Sequence, residues 1–385
     1  PCDFDYLDFD KTHAFLRASA FFTGDYLVKN AETGREDQSR ACIACNWCMA
    51  SLIEGSQTCT INPAAWRERF WGRDHDALAP RRCKVVVVGA GPGGLEAART
   101  SALRGHQVIL IEAERYLGGA FALWADLPGR ETYQKATAWW KQEIEKLGVE
   151  VRLGTLATAE MILAEKPDAV ILATGAEYNR AGQSHFRDQP IEGHQEQIVY
   201  TPMDVLNGSV GPLGKAVLLD GEGMHTGVGI AELLARNGTD VEMLTPYFTP
   251  VSARVVAQFE TGFIMKRLRD AGVKVSATSY IRHIGTREVT VYDVYSDAER
   301  TIADVDAVIL STGRVSRNGL EKELEGKVKQ LFPIGDAAAA RMWAAASFEG
   351  HKFARYIGEP GAPSTIGEVY FADNDPVFAP VKAAR

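Results

Sequence analysis

At 385 residues the chain is longer than one ordinary domain, so two or three compact units are expected. Hydrophobic residues make up 46 % and charged residues 24 %, a balance ordinary for a soluble globular protein. A formal charge of −8 with no basic run argues against nucleic acid, and the longest apolar stretch, Val85 to Val88, is far too short for a membrane span.

The first forty residues are polar and weakly periodic, closing on Gly34-Arg35-Glu36-Asp37. They are too irregular for a core of their own and are expected to be a lead-in that docks on something else. No charged-then-apolar signal opens the sequence, so a reducing, cytoplasmic setting is expected.

Residues 41–82 carry the first strong motif. Cys42, Cys45 and Cys48 stand at Cys-x2-Cys-x2-Cys spacing and Cys59 follows after a short loop. Four thiolates are what a 4Fe-4S cluster needs, because each iron takes one outer sulfur ligand beyond its sulfides. A disulfide set fits poorly with a large chain that shows no sign of secretion. Structural zinc usually shows two separated Cys-x2-Cys pairs, although it stays an alternative. A chance cluster is harder to reconcile with four of six cysteines falling in eighteen residues. Ile43, Ala44, Met49 and Ile53 would shield a cluster from water, and Trp47 either covers it or lies on an electron path.

The second strong motif opens residues 83–212. Lys84-Val85-Val86-Val87-Val88 reads as a buried parallel strand, followed by Gly89-Ala90-Gly91-Pro92-Gly93-Gly94, a helix, and a strand from Gln107 to Ile111 that ends in Glu112. This is a dinucleotide fingerprint in its required context. Gly89 makes the tight turn, Gly91 admits a pyrophosphate, and Gly94 lets helix and strand pack closely. The helix start faces the phosphates, while Glu112 suits ribose hydroxyls and repels a 2′-phosphate. Leu117-Gly118-Gly119 follows, either beside a cofactor or as a plain turn. A helix is expected over Thr132 to Leu147, then a strand ending in Ala173-Thr174-Gly175, where backbone can pass close to a nucleotide.

Residues 177–212 look loop-like, after which the pattern restarts. Lys215 to Leu219 reads as a strand, Asp220 to Gly229 as a turn, Ile230 to Arg236 as a helix and Asp240 to Leu244 as a strand. Here Asp220 and Glu222 stand where Gly89 and Gly91 stood, and Thr245-Pro246 offers neither an acid for ribose nor an arginine. Residues 213–316 are therefore expected to be a second nucleotide-type domain that has lost NAD(P)H, running through Thr312-Gly313-Arg314. Leu331-Phe332-Pro333-Ile334-Gly335-Asp336 returns residues 317–360 to the first domain. Asp336 is placed either to bind a flavin's ribityl hydroxyls or as a plain helix cap, with a helix through Ala337 to Ala340. Residues 361–385 read as a docking tail. Cys83 reads as a core residue and His351 as a packing or surface residue on a helix. The expected fold is thus α/β: two Rossmann-like three-layer dinucleotide-binding domains, the second inserted in the first, preceded by the Cys-rich segment.

Cys42-Ile43-Ala44-Cys45-Asn46-Trp47-Cys48 with Cys59-Thr60-Ile61-Asn62-Pro63 resembles the cluster segment of the trimethylamine dehydrogenase family. That group includes dimethylamine and histamine dehydrogenases and, more distantly, the 2,4-dienoyl-CoA reductases among the NADH:flavin oxidoreductases. The likeness continues through Gly89 to Gly94, Ala173-Thr174-Gly175, Thr312-Gly313-Arg314, Ile334-Gly335-Asp336-Ala337 and Phe348-Glu349-Gly350-His351, over roughly residues 20 to 358. The resemblance implies that an FMN-bearing (β/α)8 barrel precedes the cluster, oxidises the substrate and holds the catalytic residues, so none is assigned here. The lead-in before residue 16 does not look like barrel sequence, and the expectation is a separate barrel subunit in a hetero-oligomer. The first dinucleotide site is implied to hold FAD, as in the reductases, or ADP, as in trimethylamine dehydrogenase. The altered Asp220 turn looks more like the amine dehydrogenase branch. The implied function is an iron–sulfur and flavin electron-transfer subunit of an amine dehydrogenase or demethylase, delivering to FAD or to an electron-transferring flavoprotein. An NAD(P)H-dependent reductase part and a non-catalytic assembly module are the alternatives.

Overall fold

A computed structural model of the chain describes residues 30, 32–34, 39–53, 58–71 and 77–366. Most of the expected lead-in, including Cys2 and Arg35 to Asp37, and most of the expected tail lie outside the described residues. The described chain divides into two compact units. One holds residues 30–122, 132–176 and 316–366; the other holds 123–131 and 177–315.

The first unit is built on a five-stranded parallel sheet of β1 (Lys84–Val88), β2 (Gln107–Ile111), β3 (Glu150–Arg152), β4 (Ala169–Leu172) and β15 (Gln330–Pro333), in the order β15-β4-β1-β2-β3. Its central strands are Val- and Ile-rich because both faces are covered, which is why they read as unbroken apolar runs. Val86, Val88, Ile109, Ile111, Val170 and Leu172 form one face, closed by Ile162 and Leu324. Each such side chain contributes about 1.5–3 kcal/mol on burial. A helix over Pro92–Leu103 (α1) follows the glycine turn and packs along a helix over Trp343–Tyr356 (α2). The two approach so closely that a Cβ on Gly350 would stand 2.2 Å from the Gly93 carbonyl oxygen. The helix expected from Thr132 is a 3-10 turn over Glu131–Tyr133 running into a helix over Gln134–Lys146.

The cysteine segment is not all loop. Trp47–Ile53 forms a seven-residue helix that begins between Cys45 and Cys48, and Glu68–Trp71 forms a shorter one. The helix expected from Ala337 to Ala340 is instead a single 3-10 turn over Gly335–Ala337, and the true helix waits until Trp343.

The chain leaves the first unit along β5 (Ala176–Tyr178) and returns along β14 (Arg314–Ser316). The second unit has its own parallel sheet of β6 (Val199–Tyr200), β7 (Lys215–Asp220), β8 (Asp240–Leu244), β9 (Lys274–Ser276) and β13 (Ala307–Ser311), in the order β6-β13-β7-β8-β9. Alternate residues face opposite ways. Ala216 and Leu218 join a helical layer with Ile230, Leu234, Ile264 and Leu268. Val217 and Leu219 face an antiparallel sheet of β10 (Ser279–Ile284), β11 (Glu288–Asp293) and β12 (Glu299–Ala303).

Two boundaries differ from the sequence reading. Residues 177–212, expected to be loop in the first domain, supply β6 and a capped helix over Pro202–Leu206, and bury Ile191 and Val199 in the second unit. Residues 123–131 also belong to the second unit, where Leu127 packs in the helical layer. The repeat helix begins at His225, not Ile230, so the preceding turn is shorter than expected. Among the described residues no helix is long and apolar enough to cross a membrane.

Candidate functional site

Four loops that the sequence singled out lie side by side at the carboxyl edge of the first sheet. Neighbouring strands β15, β4, β1 and β2 end respectively in Ile334-Gly335-Asp336, Ala173-Thr174-Gly175, Gly89 to Gly94, and Glu112. In a doubly wound sheet the ligand crevice opens where helices leave to opposite faces, beyond these strand ends.

The glycines there are sterically fixed. Gly89 has φ +96°, and a Cβ on it would lie 2.3 Å from the Ala173 carbonyl oxygen. A Cβ on Gly94 would come within 1.8 Å of the Gly89 carbonyl oxygen, so helix and turn can approach only with glycine. Gly91, which caps α1, has open space where its Cβ would stand, and Pro92 begins the helix with a φ already suited to it. Gly119 is brought to the same place: a Cβ on it would be 3.3 Å from the Gly91 Cα, and the Gly118 N–H donates to the Ala90 carbonyl at 2.8 Å. The stretch is therefore part of the glycine turn's surroundings as well as a turn.

Glu112 is buried at the end of β2, its carboxylate accepting the Ala90 N–H at 2.5 Å and the Glu114 N–H at 2.8 Å. Thr174 donates through Oγ1 to the Arg317 carbonyl at 2.5 Å, and Gly175 at φ +75° faces open space. Gly335 at φ +58° donates its N–H to Glu349 at 2.7 Å, while the Asp336 carboxylate accepts the Arg341 N–H at 2.8 Å. Asp336 thus caps its own turn, and it keeps a partly exposed position at the edge of the crevice.

The cysteine loop gathers its four thiols. Cys45 feels Cys59 and Cys42, Cys48 feels Cys42, and Cys59 feels both Cys42 and Cys48. Burial pushes all three of these thiols up, Cys59 to about 12. None of the described cysteines is in a disulfide. N–H donors point at the sulfurs: Ala44 N–H at Cys42 (3.4 Å), Trp47 N–H at Cys45, Met49 N–H at Cys48, and Ile61 and Asn62 N–H at Cys59, and the Thr60 hydroxyl shares a hydrogen bond with Cys45 (3.3 Å). Ala44 (φ 55°) and Asn46 (φ 51°) flank Cys45 in the left-handed region, a strain of about 1–2 kcal/mol each that turns the loop back on itself. Trp47 is buried, its indole N–H on the Thr58 hydroxyl at 2.9 Å, which makes it a cover over the loop.

Donors aimed at sulfur stabilise thiolate, not thiol, and neighbouring thiolates, of which Cys45 and Cys59 are buried, repel unless a cationic centre joins them. Among the described residues, no three His, Cys, Asp or Glu converge as ligands of a single metal ion. An iron–sulfur cube binds each thiolate to a different iron and so spreads its ligands wider than a tetrahedral zinc does. Four cysteines whose sulfurs meet N–H and O–H groups are a donor set of the kind a cube takes.

The corresponding turn of the second unit is filled by its own side chain. Asp220, fully buried, accepts the Glu222 N–H (3.1 Å) and the Gly223 N–H (3.2 Å) on one oxygen. Those amides are the type a pyrophosphate would take. Burial and then Glu222 push the Asp220 carboxyl up to about 8. Glu222 in turn holds Arg314 (3.2 Å) and the Tyr178 hydroxyl (3.3 Å).

Sequence reasoning missed two features of the first unit. A cavity of about 360 Å³ lies beside the Leu117 stretch, lined among others by Arg115, Tyr116, Thr137, Lys141 and Leu153. The other is a buried ion network on Glu96. His351, left open between packing and surface by the sequence, is buried and is part of that network. Cys83 is a buried core residue.

Residues 83–350 match the family model of the pyridine nucleotide-disulphide oxidoreductases. The chain is 32 % identical to the probable N-methylproline demethylase of Rhizobium meliloti over 367 residues, covering 86 % of this chain and 51 % of that protein. It is 34 % identical to the NADH oxidase of Thermoanaerobacter brockii over 319 residues, covering 80 % of this chain and 46 % of that one. The structure superposes on histamine dehydrogenase from Rhizobium sp. 4-9 with a TM-score of 0.85 at 30 % identity, covering 94 % of this chain and 56 % of the other. The chain therefore spans about half the length of the curated relatives it matches. With the fingerprint, the crevice and a match over most of its length, this chain is an oxidoreductase and belongs to the pyridine nucleotide-disulphide oxidoreductase family.

Proposed function

We propose that this chain is the iron–sulfur and flavin-nucleotide electron-transfer part of an amine dehydrogenase or N-demethylase, working in the cytoplasm with an FMN-bearing (β/α)8 barrel. The observation that carries the reading is the cysteine loop, where backbone and hydroxyl donors face four gathered thiols. Cys42, Cys45, Cys48 and Cys59 would hold a 4Fe-4S cluster, which supplies one-electron transfer when bound. Gly89, Gly91, Pro92, Gly93, Gly94 and Gly119 would cradle the pyrophosphate of FAD, Glu112 its adenosine ribose, and Thr174, Gly175, Gly335 and Asp336 its flavin side. ADP in the same cradle would remove the flavin and leave only the adenosine contacts. The domain of residues 213–316 is proposed to be a nucleotide fold emptied of NAD(P)H, because the Asp220 carboxylate takes the amides a phosphate would need.

The chain's own work is to hold and insulate. Trp47 and Ile43 exclude water from the thiols, and the glycine turn brings backbone to the nucleotide. The N-methylproline demethylase and histamine dehydrogenase, both longer than this chain, are named for amine and N-methyl chemistry, which supports the reading. Delivery from the complex would go to an external carrier such as an electron-transferring flavoprotein. Replacing Cys45 by Ser is expected to abolish electron delivery to an added acceptor while substrate still bleaches the barrel's flavin. Loss of that bleaching in an intact complex would count against the reading.

The second reading is an NAD(P)H-driven reductase, favoured by the likeness to an NADH oxidase. Stopped-flow mixing with NADH or NADPH separates the two. Rapid bleaching of a flavin bound to this chain would support the reductase and overturn the closed Asp220 turn.

A further inference from the structure

Glu96 lies on α1, two residues beyond the glycine fingerprint, and its side chain is fully buried. A lone carboxylate there would be expensive, and this one is ringed by donors from five residues. Arg40 reaches both oxygens (3.1 and 3.0 Å), Arg99 donates at 3.3 Å, the Trp140 indole N–H at 2.8 Å, His351 at 3.1 Å and the Thr100 hydroxyl at 3.4 Å. Arg99 is balanced separately by Glu143 at 3.3 Å, and burial lowers His351 towards its neutral form. Of the two arginine charges that Glu96 answers, that of Arg40, held on both oxygens, is the larger.

Arg40 sits two residues before Cys42. It stacks on Trp139 at 4.3 Å, and its guanidinium also donates to the Ile61 carbonyl. Ile61 and Asn62 supply the N–H donors to Cys59. One arginine thus grips the cysteine loop beside its first and its last ligand, and one carboxylate on the nucleotide-binding helix holds that arginine. Ser347 on α2 adds a bond to the Thr60 carbonyl, so the Cys59 arm is tied to both helices.

We propose that Glu96 and Arg40 form a positioning pair that fixes the cluster loop to the nucleotide-binding helix and sets the charge the cluster feels. The proposal rests on the cluster reading above. It assigns no chemistry to either side chain; both act through the loop. A buried charge left without its partner is costly and projects its field through a low dielectric. Glu96→Gln leaves Arg40 positive beside the loop and favours the reduced cluster. Arg40→Gln leaves Glu96 negative and favours the oxidised cluster.

The test is a dithionite titration of the anaerobically purified protein, followed by EPR, for wild type, Glu96→Gln, Arg40→Gln and the double variant. The expected result is midpoint shifts of opposite sign, each changing the oxidised-to-reduced ratio on the order of tenfold. The double variant should return towards wild type. Equal potentials in all four, at wild-type cluster content, would overturn the proposal. Shifts of the same sign would also overturn it, since they report general loosening of the loop. If Glu96→Gln fails to fold, the Arg40→Gln shift alone decides the sign. Wild-type protein without iron and sulfide would sink the cluster reading itself, an outcome distinct from an unmoved potential.

Discussion

Asp220 folds its side chain back onto the backbone of its own turn. Its strand, turn and helix repeat those that end in Gly89, yet its carboxylate occupies the amides at Glu222 and Gly223. Burial with Glu222 nearby pushes its carboxyl up to about 8. From about pH 4, where an exposed carboxyl titrates, up to about 8 the folded chain keeps a proton that the unfolded chain has lost. Stability attributable to this group is therefore greatest in acid and falls as pH rises through that window. Asp220→Asn keeps the accepting oxygen and cannot ionise. It should raise the melting temperature at pH 8 and flatten the decline between pH 5 and 8 in a thermal series. An unchanged slope would show that Asp220 is ionised in the folded protein.

A second prediction at this scale concerns Gly94. With the Gly89 carbonyl 1.8 Å from where a Cβ would stand, Gly94→Ala must push α1 off the turn. A cost of about 2 kcal/mol or more is expected, with loss of nucleotide on gel filtration. Retention of full nucleotide content in this variant would place the ligand elsewhere.

Among elements, the parallel strands were the most legible. Val85 to Val88 and Ala169 to Leu172 are covered on both faces, so burial selects unbroken apolar runs that stand out in sequence. The glycine motifs were legible because close backbone approach leaves no alternative residue. What was not legible was long-range. Glu96 meets Arg40 across 56 positions and His351 across 255, and no local pattern encodes such a pairing. The segment 123–131 is as opaque, because Leu127 looks like any loop leucine until the Gly229 surface receives it. The short helix at Trp47 was hidden by the cysteine spacing, which fits loop and helix alike. Packing of α1 on α2 yields a prediction of its own. Gly350→Val would drive side-chain atoms into the Gly93 carbonyl and separate the helices. Unfolding in urea should shift to a lower midpoint, and the nucleotide should be released with it. A midpoint equal to wild type would mean that the helices adjust freely.

Over the whole molecule, two parallel-sheet units share one plan and differ in what their strand ends offer. The first presents glycine, threonine and a buried acid; the second presents carboxylates and their partners. The chain accounts for about half the length of its curated relatives; under the proposed function the substrate is sought on a barrel partner. Native mass spectrometry of the complex should find FMN on that barrel, and denaturing release should find FAD on this chain. Recovery of ADP instead would move the electron exit to the cluster itself.

The central claim is that four thiols gathered in one loop carry electrons. Iron and acid-labile sulfide in the anaerobically purified protein, with EPR before and after dithionite, test it most directly. The account predicts roughly four irons and four sulfides per chain and a signal that appears on reduction and is lost in Cys45→Ser. One equivalent of zinc, or free thiols without iron, would contradict it.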